Sequence, residues 1–147
     1  MDEEMMREAL AEAAQAAAEG ETPVGAVLVK DGRILARAHN LRERTGDPTA
    51  HAEMLCMRQA AEALGTWRLT GCTLVVTLEP CPMCAGAMVM SRLGRCVYGA
   101  ADPAQGCCGS VYDLPADPLL HGATRWKAGV EEEACQSLLR DFFRQRR

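Results

Sequence analysis

Apolar residues recur along this chain with two different periods, and the switches between them outline a fold. Between residues 2 and 19, Met5, Met6, Ala9, Leu10, Ala13 and Ala17 repeat at helical spacing behind an acidic first turn, and Gly20 supplies the stop. Two strand-like runs follow, Val24 to Lys30 and Arg33 to Asn40. They are joined by Asp31-Gly32, a pair that favours a hairpin because both residues tolerate positive φ. Asp47-Pro48-Thr49 reads as the entry to a helix carrying His51, Glu53, Leu55, Met57, Ala61 and Leu64, which Gly65 closes. Cys72 to Leu78 is a β-branched strand, and Pro80 interrupts it and opens a helix holding Cys81, Cys84, Met88 and Val89. Arg95 to Tyr98 reads as a short strand, and residues 99–118, rich in Gly, Pro and Asp, as loop with room for one helical turn. Glu131 to Arg146 forms an amphipathic helix through Ala134, Cys135, Leu138, Leu139 and Phe142. Strands alternating with helices predict one α/β domain spanning 1–147, a mixed sheet covered by helices, with no repeat and no linker.

Composition narrows the class. A chain of 147 residues can bury a real core, and its apolar residues, 48% of the total, fall in short interrupted runs that argue against disorder and against a membrane span. Met1-Asp2-Glu3-Glu4 has neither the basic nor the apolar region of a secretory signal. The eight cysteines sit inside apolar stretches, so reduced thiols in a cytoplasmic protein are expected. A net charge of −4 disfavours broad, sequence-independent nucleic-acid binding, while leaving one local basic patch: Arg140, Arg144, Arg146 and Arg147, with Phe142 and Phe143 between them.

Two short runs carry chemistry: His51-Ala52-Glu53 and Glu79-Pro80-Cys81-Pro82-Met83-Cys84. A zinc ion held by three N/S ligands keeps its fourth tetrahedral position open for water, and the spare carboxylate of Glu53 can carry protons. Each run opens a helix, where backbone N–H groups and the dipole favour thiolates, and positions three apart share a helical face. Alone, Cys-x-x-Cys reads equally as a redox pair or as half of a closed structural zinc site. A closed site needs a fourth protein ligand, and none clusters here; Cys107-Cys108 after Gly106 reads as a small-residue turn. His-x-Glu followed by Pro-Cys-x-x-Cys is the signature of zinc nucleobase deaminases.

From Pro23-Val24-Gly25-Ala26-Val27 to Asp141-Phe142-Phe143-Arg144, the chain resembles the bacterial tRNA-specific adenosine deaminases (the TadA family, in the cytidine-deaminase-like superfamily). Asn40, Asp47-Pro48-Thr49-Ala50-His51-Ala52-Glu53, Thr77-Leu78-Glu79-Pro80-Cys81, Met83-Cys84-Ala85-Gly86-Ala87-Met88, Ser91-Arg92, Tyr98-Gly99-Ala100 and Leu138-Leu139 carry the likeness. The resemblance implies a three-layer α/β/α fold with a mixed, roughly five-stranded sheet. It also implies a homodimer and hydrolysis of adenosine to inosine at the wobble base of a tRNA anticodon. On the same grounds His51, Cys81 and Cys84 would hold one zinc ion per chain, with Glu53 as proton shuttle to ring N1 and then to the departing amine.

The resemblance also maps a base-reading amide onto Asn40, otherwise a strand-end turn residue, and an acid near the target nucleotide onto Asp102, otherwise an Asp-Pro turn. The backbone N–H of Ala52 is a donor for the substrate edge. Phe143 would stack on an RNA base while Phe142 extends the apolar stripe, and Arg144, Arg146 and Arg147 would hold phosphates of the anticodon arm; a solvated helix end is the plainer reading. Trp67, Cys56, Cys72, Cys96 and Cys135 are expected in the core, and the Met-rich first helix in the core or at a dimer surface. Two departures stand out. Leu120 to Arg125 replaces the family's Asn-His-Arg run, and the chain stops at Arg147, where many relatives continue with a basic tail. The other readings are a free-base or nucleoside deaminase, and a non-catalytic zinc-containing RNA-binding subunit, which would have no use for Glu53.

Overall fold

The computed structural model describes residues 1–146. Helix α1 (Asp2–Ala18) leads into a hairpin of β1 (Gly25–Lys30) and β2 (Arg33–His39), then a single turn, α2 (Arg42–Thr45), and α3 (Ala52–Leu64). Strand β3 (Thr73–Leu78), α4 (Pro82–Met90), β4 (Arg95–Ala100), β5 (Arg125–Lys127) and α5 (Glu132–Arg144) complete the order, with two 3₁₀ turns at Leu114–Ala116 and Pro118–Leu120. The sheet runs β2-β1-β3-β4-β5. β1 is antiparallel to both its neighbours, whereas β3, β4 and β5 are parallel, so the sheet is mixed as predicted.

Alternation along the central strands divides the core into two layers. Ala26, Leu28, Leu74, Val76, Cys96 and Tyr98 pack with Ala52, Cys56, Met57 and Ala60 of α3 and Ala85 and Met88 of α4. Val27, Val29, Val75 and Val97 point the other way, onto Met6 and Ala9 of α1 and Cys135 of α5. Helices therefore cover both faces, giving three layers. Small residues let α1 lie close to the sheet: a Cβ on Gly25 would fall 2.1 Å from the carbonyl oxygen of Ala9.

Several elements differ from the sequence reading. Helix α3 starts at Ala52 rather than near Asp47, because the Asp47 carboxylate accepts from both the N–H and the hydroxyl of Thr49, at 2.8 Å each, and makes a separate turn. α2 is a turn the periodicity could not show; the buried carboxylate of Glu21 accepts from the N–H groups of Glu43 (3.0 Å) and Arg44 (2.6 Å) at its start. β4 runs on through Gly99, where a Cβ would lie 2.3 Å from Cys135 Sγ, so that glycine admits α5 rather than ending the strand. β5 is a three-residue edge strand, exposed throughout, with no apolar alternation to reveal it. Trp67 is not core: it is 53% exposed, with the Arg68 guanidinium 4.5 Å above its ring. Cys56, Cys72, Cys96 and Cys135 are buried as expected, and all eight thiols are free. In the departing segment, Thr124 is buried and its hydroxyl donates to the carbonyl of Leu93 at 2.6 Å, so this one residue ties the otherwise largely exposed segment to the loop after α4. Among the described residues no helix is long and apolar enough to cross a membrane.

Candidate active site

Two helix N-termini build the site. His51 is the residue before α3 and Cys81 the residue before α4, both in extended backbone, with Pro82 occupying the first helical position of α4. Cys84 follows within the first turn and is buried. The imidazole turns its Nδ1 toward both sulfurs, 3.6 Å from Cys81 Sγ and 3.6 Å from Cys84 Sγ. All three ligand-type atoms lie within 4.8 Å of one another. Two atoms bound tetrahedrally to zinc at about 2.3 Å (S) and about 2.0–2.1 Å (N) stand about 3.6 Å apart. The cluster therefore fits a zinc ion without rearrangement, and it keeps one coordination position free of protein.

The charges follow from this crowding. A hydrogen bond from the Cys84 thiol, reinforced by His51, holds Cys81 down at about 4 despite burial, while its thiolate and burial push Cys84 upward. The same thiolate raises His51 above its ordinary value. Glu53, in the first turn of α3, is 4% exposed, and burial lifts its carboxyl to about 7 against the opposing pull of its backbone N–H and His51.

A cavity of about 410 Å³ opens over this cluster. Its lining brings together Asn40, His51, Ala52, Glu53, Cys81, Asp102 and Phe143, residues scattered over the whole sequence. Asn40 is buried and its Oδ1 accepts the N–H of Arg42 at 3.2 Å, so it both closes a turn and faces the cleft. Asp102 likewise accepts from the N–H groups of Ala104 (3.0 Å) and Gln105 (3.3 Å), which makes the Asp-Pro turn real without removing the residue from the cavity wall.

Residues 1–100 match the cytidine and deoxycytidylate deaminase zinc-binding region. The tRNA-specific adenosine deaminase of Bacillus subtilis is 53% identical over 99% of this chain and 91% of its own length. The chain belongs to the tRNA-specific adenosine deaminase family. The Aquifex aeolicus relative of the same name is 44% identical over 99% of the chain and 95% of its own length. A structure solved in work on A-to-I editing by tRNA:A34 deaminases at the wobble position superposes with a TM-score of 0.90 at 44% identity, over 92% of this chain and 99% of that one. As in the rest of this deaminase family the cofactor is zinc, and among the described residues His51, Cys81 and Cys84 form the cluster that can hold it.

Not every expected residue reaches the cleft. Arg144 and Arg146 are not among its lining residues, and the Arg146 guanidinium lies 4.1 Å from the centroid of Phe142. Arg147 lies outside the described residues. Cys107 and Cys108 stay out of the ligand cluster: the N–H of Cys107 donates to the carbonyl of Pro80, and the carbonyl of Cys108 accepts from Tyr98. The cleft adds Arg42, Gln105 and Leu139, which sequence reasoning missed. It also gives Glu79 a role. Its buried carboxylate accepts from the N–H groups of Asp102 (3.0 Å), Cys108 (2.9 Å) and Ser110 (3.1 Å), and from the Ser110 hydroxyl. A carboxylate closing an otherwise apolar strand was the available signal for it.

Proposed function

We propose that residues 1–147 form one deaminase domain that hydrolyses adenosine to inosine at the wobble position of a tRNA anticodon, releasing ammonia. The observation that carries this reading is the buried carboxylate of Glu53 beside a His51/Cys81/Cys84 cluster whose 3.6 Å spacings suit zinc, at the floor of a single cleft. Zinc held there would lower the pKa of a bound water to about 7 and so supply hydroxide at neutral pH. The carboxylate of Glu53 takes the first proton of the attacking water and places it on adenine N1 as the C6–O bond forms. It then takes the proton of the new C6 hydroxyl and delivers it to the amine as the C6–N bond breaks, leaving the C6 carbonyl of inosine and ammonia. The amide of Asn40 and the backbone N–H of Ala52 orient the purine edge. Asp102 accepts from the ribose 2′-hydroxyl, which favours RNA over DNA. Phe143, 52% exposed on the cavity rim, offers a face for a neighbouring base, while Arg144 and Arg146 lie on the same helix end for more distant phosphates.

Membership of the family supports a tRNA anticodon arm as the partner, a homodimer as the assembly and the cytoplasm as the location. A free-base or nucleoside deaminase would share the zinc cluster but would not need the Phe143 rim. The test is an anticodon stem-loop with adenosine at its first anticodon position, run beside free adenosine, cytidine and guanine. Inosine from the RNA supports the reading. Ammonia from a free base or nucleoside alone overturns it.

A further inference from the structure

His51 has a second ring nitrogen, and its surroundings are unusual. With Nδ1 facing both sulfurs as a lone-pair donor to the metal, the imidazole proton must sit on Nε2. Metal-binding histidines ordinarily donate that N–H to a carboxylate, a carbonyl or water. Here the protein atom at Nε2 is Arg42 Nη1, 3.5 Å away, and it too is a donor. Two donors side by side cannot satisfy one another; they can converge on a shared acceptor, and the described residues supply none.

Arg42 is set apart by its place. Like Arg33, Arg58 and Arg92, it pairs with no carboxylate among the described residues, whereas Arg37 pairs with Glu8 at 3.0 Å, Arg44 with Glu19 at 2.9 Å and Arg95 with Asp2 at 2.7 Å. Of these it is the one that lines the cleft, and it is the one lysine or arginine there, in a lining that also holds Glu53, Glu79 and Asp102. Its backbone is fixed on both sides. The Arg42 N–H is held by Asn40 Oδ1, and the next two N–H groups by the buried Glu21. The guanidinium thus projects from a pinned turn.

We propose that Arg42 and the Nε2–H of His51 together form a phosphate subsite at the cleft wall, taking a backbone phosphate adjacent to the target nucleoside. This rests on the RNA-deaminase reading above. A phosphodiester oxygen accepts both donors at once and neutralises the unpaired guanidinium, and Arg is suited to phosphate by its fork of N–H groups. An acidic cleft would otherwise repel the strand it has to admit.

The zinc-loaded full-length chain tests this with Arg42→Ala and RNA hairpins that carry a neutral methylphosphonate at the linkage on one or the other side of the target adenosine. We expect Arg42→Ala to keep its zinc and to bind the unmodified hairpin about tenfold more weakly, with the slope of log K against log salt reduced by about 0.7. One of the two methylphosphonates should weaken wild type similarly and cost Arg42→Ala nothing further, and Arg42→Lys should recover part of the loss. If Arg42→Ala binds as tightly as wild type, or both methylphosphonates cost the two proteins equally, the subsite is wrong while the function stands. If wild type holds zinc but binds no hairpin, the RNA reading falls and the subsite with it.

Discussion

The carboxylate of Glu79 accepts the backbone N–H of Asp102 at 3.0 Å, so the residue two places before Cys81 fixes the loop that forms the opposite wall of the cleft. The same carboxylate gathers the N–H groups of Cys108 and Ser110, and Gly106 leaves room for it: a Cβ there would fall 2.3 Å from the carboxyl carbon. Removing it leaves three N–H groups without an acceptor, each worth about 1–3 kcal/mol when buried. Glu79→Ala should lose about 3 kcal/mol or more, roughly 10 °C of melting temperature for a chain of this size. Faster amide exchange at Cys108 and Ser110 should accompany it. Unchanged melting and exchange would mean that the loop holds itself.

Phe142 and Phe143 touch edge to face at 5.3 Å between centroids, yet they divide packing from recognition. Phe142 is 8% exposed and Phe143 is 52% exposed. Phe142→Ala should destabilise by about 3–4 kcal/mol. Phe143→Ala should cost stability about 1 kcal/mol or less and weaken RNA binding by about 1–3 kcal/mol. Thermal melts and hairpin binding on the pair of variants separate the roles, and equal effects on both readouts would contradict the division.

Asp2 ties the start of α1 to the far edge of the sheet. Arg95 donates to its two oxygens at 2.7 and 3.2 Å and Lys127 at 3.3 Å, and these bonds, Arg95 first, hold the carboxyl below its ordinary value against the opposing effect of burial. A carboxyl depressed in the folded state stabilises fully above its unfolded pKa, about 3.9, and loses that contribution as pH falls below it toward the native value. Asp2→Asn should therefore melt lower than wild type at pH 7, with the gap closing between about pH 4 and pH 2. A gap that stays constant across that range would show that Asp2 acts through packing alone.

Where local signals and tertiary demands agreed, the sequence was readable: the amphipathic α1 and α5, the Asp31-Gly32 hairpin and the dense β3 all lie where periodicity places them. Elements set by distant partners were not readable. α2 depends on the carboxylate of Glu21, the extension of β4 on the fit of Gly99 under Cys135, and β5 on pairing with β4 rather than on its own three residues. The site divides the same way. His51, Glu53, Cys81 and Cys84 announce themselves because metal chemistry demands those residue types at short spacings. Arg42 and Glu79 do not, since Arg42 gains its place beside His51 across a turn and Glu79 from backbone N–H groups more than twenty residues away in sequence.

The most direct measurement is inosine formation at the first anticodon position of an anticodon stem-loop, by wild type and by Glu53→Gln, with zinc per chain determined for both. Proton transfer by one positioned group is worth about 10²–10⁴ in rate. Wild type should form inosine at that adenosine alone, and the variant should retain about one zinc while losing at least about a hundredfold in rate. A variant that holds zinc and deaminates at the wild-type rate would contradict the role given to Glu53, and a wild type that forms no inosine would contradict the proposed reaction.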